Sequence, residues 1–87
     1  MNSKIRQDLF IRKIYEHTDG SIKMVTEFCE LARSWGFSDD EIANYAHYFE
    51  DRDYLHIIRH KDDPIATIRL TVYGVGYVER LDVGSLL

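Results

Sequence analysis

Cysteine occurs once in this chain, at Cys29, so no intrachain disulfide can form and stability must come from packing. Cys29 sits in an apolar-periodic segment, where a buried small hydrophobe is the expected role rather than a reactive thiol. No apolar run approaches the roughly 18 residues of a membrane span. The opening "MNSKIRQDLF" is charged and lacks the apolar centre of a signal peptide, so a cytoplasmic protein is expected. A basic excess is missing too: 11 Lys and Arg stand against 15 Asp and Glu, a net charge of −4. Phosphate neutralisation and counterion release supply most of the affinity of DNA-binding domains. The overall balance therefore argues against tight DNA binding and leaves room only for a local basic patch.

Catalytic signatures are equally scarce. No nucleophile motif, glycine-rich phosphate loop or cysteine pair is present. "YGVGYVE" (73–79) has two glycines but lacks the third glycine and the strand-then-helix setting of a dinucleotide loop. His56 and His60 lie on one strand-like run about 13 Å apart, too far for one metal ion. His17 and His47 have no ligand pattern nearby. No enzyme activity, small-molecule substrate, cofactor or metal is expected.

What remains is one domain over residues 1–87, with a core over about 5–81 and no repeats or linkers. The chain is 45% hydrophobic and 13% aromatic, enough for a single packed core. "SKIRQDLFIRKIYEHT" (3–18) reads as a helix capped by Ser3. Ile5, Leu9, Phe10, Ile14 and His17 point inward, flanked by Ile11 and Tyr15. "TDGS" is a turn. A second helix, with Phe28, Leu31, Ala32 and Trp35 inward, stops at Gly36. It starts either at a Ser21 cap or after an extended piece, "IKMV" (22–25). Ser38-Asp39-Asp40-Glu41 fits a capping box that starts a third helix, with Ile42, Tyr45, Ala46 and Phe49 inward. Asp53 ends that helix in the left-handed region. "YLHIIRHK" (54–61) and "IATIRLTV" (65–72) read as a hairpin joined by "DDP". "LTVYGVGYVERL" (70–81) fits either a continued strand or a helix capped by Thr71; the helix, with Gly74, Val78 and Leu81 inward, is favoured. "DVGSLL" reads as a loose tail.

Helix, helix, turn, helix and hairpin is an α+β order. "ELARSWGFSDDEIANYAHYFEDRDYLHI" (30–57) and "LTVYGVGYVE" (70–79) resemble winged helix-turn-helix domains, from the second helix through the "Gly, apolar, Ser" turn into the recognition helix and wing. The resemblance covers roughly residues 5–81. It implies a small DNA-binding transcriptional regulator that binds through the third helix and wing, and a homodimer, since one module of this size buries too little surface for specific affinity. Such domains carry Gly where this chain has Asp53. Their recognition helix is usually sprinkled with basic and amide side chains, whereas the outward positions here are Asp40, Ala43, Asn44, His47, Glu50 and Asp51.

Two sets of site residues follow. For nucleic acid, Asn44 and His47 suit base edges, while Arg59, Lys61 and Arg69, with His60 nearby, form a basic wing able to hold phosphate. Arg59, Lys61 and Arg69 are expected on one face. For a protein partner, bound as an adaptor or by phosphate mimicry, the set is Asp40, Tyr48, Glu50 and Asp51: aromatic surface with an acidic rim suits a protein better than a polyanion.

Overall fold

The computed structural model describes residues 3–62 and 65–86, with side chains through Leu81. Its elements are α1 (Ser3–His17), α2 (Phe28–Ser34), α3 (Asp39–Asp51), β1 (Leu55–Ile58), β2 (Thr67–Leu70) and α4 (Val72–Leu86). The architecture is α+β, four helices and a two-stranded antiparallel hairpin.

α1 buries Phe10, Ile11 and Ile14. Ile5 and His17, expected inward, are exposed, Ile5 by 59%. In the first turns the residues that meet the body are polar: Lys4 and Asp8 reach Tyr77 of α4, and Arg6 reaches Glu41 of α3. Ile5 lies between these two directions. Ser3 is itself helical and so is not the cap. Thr18 stops the helix, its hydroxyl donating to the Ile14 carbonyl at 3.1 Å, and Asp19 (φ 56°) and Gly20 (φ 74°) turn the chain through the left-handed region.

The extended alternative holds for the next segment. Val25 bridges Ile68, with N–H···O distances of 2.7 and 3.1 Å in the two directions. This ties the α1–α2 connection to the hairpin. α2 starts only at Phe28, after Glu27 at φ 51°, and runs to Ser34, with Trp35 as its C-cap before Gly36 at φ 95°. Phe28 and Ala32 are buried. Trp35, expected in the core, is half-buried on the rim, edge-on to His17 and Phe28, while Phe37 takes the interior place.

α3 begins as its sequence dictates. The Ser38 hydroxyl accepts from the Glu41 N–H at 3.1 Å, and the Glu41 carboxylate accepts from the Ser38 N–H at 3.0 Å. Two orphan donors are thereby satisfied. Ile42, Tyr45, Ala46 and Phe49 are all buried. Asp53 takes φ 62°, and the Tyr54 N–H returns to the Phe49 carbonyl. β1 and β2 pair in the register Leu55–Leu70, His56–Arg69, Ile57–Ile68 and Ile58–Thr67. Residues 63 and 64 of the "DDP" connection lie outside the described residues.

α4 is a helix, as favoured, with the Thr71 hydroxyl accepting from the Gly74 N–H at 3.0 Å. Gly74 is needed there: a Cβ would stand 1.9 Å from the Tyr54 carbonyl oxygen. Val78 is fully buried and Leu81 partly so. "DVGSLL", expected to be loose, continues the helix to Leu86, since hydrogen bonding propagates once the first turns are fixed. The core centres on Phe10, which meets Phe28, Phe37 and Tyr45 edge-to-face at 5.3–5.6 Å. Each such pair contributes about 0.5–1.5 kcal/mol beyond area burial.

Candidate functional site

With Ile42, Tyr45, Ala46 and Phe49 turned inward, helical periodicity puts Asp40, Asn44, His47 and Asp51 on one exposed stripe of α3. Asn44 and His47 occupy its middle. Among the described residues neither side chain is committed to an intrachain hydrogen bond.

The remaining carboxylates of α3 are paired within the chain. Arg6 grips both oxygens of Glu41 at 2.8 Å. Those bonds, with the Ser38 N–H, hold the Glu41 carboxyl down at about 2, against an ordinary 4.5. Arg33 meets Asp39 at 2.7 Å, although both side chains are largely exposed, so solvent screening leaves the pair little energetic weight. Arg59 holds both oxygens of Glu50 at 2.7 and 2.9 Å, which lowers the Glu50 pKa. Asp40 and Asp51 are left without an ion pair among the described residues.

Glu50 and Arg59 therefore do more than face solvent. Ile68 gives its N–H and C=O to Val25, so its β1 neighbour Ile57 points its own polar groups to the outer edge of the sheet. There the Glu50 carboxylate accepts from the Ile57 N–H, and Arg59 donates to the Ile57 carbonyl, each at 3.4 Å. The pair covers an edge that would otherwise offer unpaired backbone groups.

The three hairpin cations do not share a face. The register pairs odd-numbered residues of β1 with even-numbered ones of β2. Arg69 therefore lies beside His56, on the face opposite Ile57, whereas Arg59 reaches back along the Ile57 side to α3. Lys61 is exposed toward the hairpin tip, and His60 Nε2 is 3.0 Å from the Thr67 hydroxyl. Tyr48 is half-buried, edge-on to Phe49, with the Arg52 guanidinium 3.8 Å above its ring.

A second feature has no signal in the sequence beyond a scatter of tyrosines. Arg52, Asp53, Tyr54, Tyr73 and Arg80 line an open groove of about 390 Å³ where the end of α3 meets the start of α4. Among the described residues no cluster of three or more His, Cys, Asp or Glu can hold a metal ion, and no helix is long and apolar enough to cross a membrane. The chain matches no protein-family model, no curated protein and no solved structure.

Proposed function

We propose that this chain is a winged-helix domain that meets double-stranded DNA through α3, with α2, the Gly36–Ser38 turn and α3 as its helix-turn-helix and the β1–β2 hairpin as its wing. One observation carries the reading: intrachain arginines pair with Asp39, Glu41 and Glu50, so α3 as a whole is less anionic than its sequence suggests, and Asn44 and His47 stand at the middle of its exposed stripe between Asp40 and Asp51. Asn suits bidentate contact with adenine, and a histidine can donate or accept at a base edge. Lys61 is the wing cation open to phosphate; Arg59 is held by Glu50, and Arg69 faces the other way. With so few cations the affinity of one copy is low, and two copies on adjacent half-sites supply the rest.

The test is anisotropy titration of a labelled mixed-sequence duplex over a range of salt. Lys61→Ala is expected to weaken binding to all sequences alike and to lower the salt slope by about 1, while Asn44→Ala relaxes preference at one base. Binding by neither duplex nor half-site, at any salt concentration, would end this reading. A second reading rests on the unpaired Asp40 and Asp51: the same stripe engages a cationic protein partner, in which case no duplex competes for it.

A further inference from the structure

The groove between α3 and α4 brings together two arginines, Arg52 and Arg80, and two tyrosines, Tyr54 and Tyr73. Lys4, Arg6, Arg33 and Arg59 each hold a carboxylate. Arg52 and Arg80 hold none among the described residues. Arg52 is spread over the Tyr48 ring, and Arg80 folds back toward Gly76. Between them stand Tyr54, stacked on Tyr77 with centroids 4.8 Å apart, and Tyr73, 65% exposed. Val72, next along the chain, is 71% exposed. Val72 and Tyr73 thus face solvent at the start of α4, and Tyr73 shares the groove with two guanidinium groups that form no ion pair among the described residues.

The first turn of α4 opens on the same groove through Tyr73, and a helix N-terminus adds partial positive charge. Among the described residues, Asp53 is the one carboxylate in the lining. We infer that this groove docks an acidic segment of a partner protein, with carboxylates on Arg52 and Arg80 and an apolar or aromatic anchor against Tyr54 and Tyr73. Tyrosine and arginine are the side chains most enriched where protein interfaces concentrate their binding energy. A continuous phosphate backbone fits less well. Asp53 lies in the groove, and the C-terminal end of α3 brings partial negative charge. A peptide can place separate carboxylates and step past these groups. The groove is distinct from the Asn44–His47 stripe, so the domain would join that stripe's ligand to a protein.

The experiment uses the full chain, isotope-labelled for amide chemical-shift mapping. The probes are a set of short peptides in which Asp and Glu flank Phe, Leu or Trp, the same peptides with Lys for the acids, and single-stranded oligothymidylate. Acidic peptides should shift the amides of Arg52, Tyr54, Val72 and Tyr73, and the lysine versions should not. The double variant Arg52→Gln with Arg80→Gln should bind about tenfold or more weakly, with Tyr73→Ala also impaired. Asp40→Asn should leave peptide binding unchanged, which separates this site from the α3 stripe. Since the comparison of acidic with lysine peptides is made on the wild-type chain, it stands even if a variant folds poorly. The inference is overturned if no acidic peptide shifts these amides, if oligothymidylate occupies the groove more tightly, or if the shifts appear on raising protein concentration alone, which would assign the groove to a second copy of the chain.

Discussion

Arg59 and Glu50, nine residues apart, close a two-point pair that also takes up the outward N–H and C=O of Ile57. A side chain suited to phosphate and one suited to a basic partner are thereby spent on the edge of a two-stranded sheet. Exposed sheet edges invite pairing with another chain, and charged groups held there discourage it.

If this pair guards the edge, Glu50→Gln should loosen it locally. Native-state hydrogen exchange of the Ile57 amide should accelerate, while that of Ile68, bonded to Val25, keeps its rate. Equal acceleration at both would mean general destabilisation and no guarding role.

The Glu41–Arg6 pair makes a prediction about acid. The folded Glu41 carboxyl is held down at about 2, below its ordinary 4.5. A depressed carboxyl contributes stability that is present above the unfolded value and lost as pH falls through the folded one. Denaturant midpoints should therefore drop between about pH 4.5 and 2, and Glu41→Gln should flatten that limb. An unchanged slope would assign acid sensitivity elsewhere.

Ser38 is the helix cap whose loss is most easily measured. Ser38→Ala should cost about 1 kcal/mol, read from the denaturant midpoint. A cost below a few tenths would leave the capping geometry without energetic weight.

Gly74 and Phe49 test the packing. Gly74→Ala drives a methyl into the Tyr54 carbonyl and must displace backbone where α4 meets β1. Overpacking of this kind costs about 1–3 kcal/mol, occasionally more. Phe49→Ala empties a fully buried site. It should cost about 3–5 kcal/mol, enough to unfold a small domain, whereas half-buried Trp35→Ala should cost less. Thermal unfolding orders all three.

Much of this fold was legible because its signals are local. The Ser38–Glu41 box, the left-handed Asp53, the Gly36 stop and the Thr71 cap each depend on neighbours within a few residues, where the physics is short-ranged. The buried face of α3 followed from one period. Relations across the chain were not legible. Whether Arg69 joins Arg59 depends on hairpin register, and a shift of one residue moves a side chain to the other face. Ile5 and Trp35 both fall on apolar stripes, but periodicity shows a stripe and not how far neighbouring elements cover it. The pairing of Arg6, Arg33 and Arg59 with the acids of α3 joins elements whose approach no local pattern encodes. For that reason the helix looked more anionic in the sequence than it is in the folded chain.

Asp40 and Asp51, the two acids of the α3 stripe without an ion pair among the described residues, bear most directly on DNA recognition by that helix. The measurement is the affinity of the wild-type chain and of Asp40→Asn with Asp51→Asn for the same duplex at fixed low salt. Removing like charge from the approach to phosphate should tighten binding, and the gain should shrink as salt is raised. Binding to duplex that weakens on this substitution, or no duplex binding together with loss of a cationic protein ligand, would contradict DNA recognition by α3 and leave the stripe as a protein-binding face.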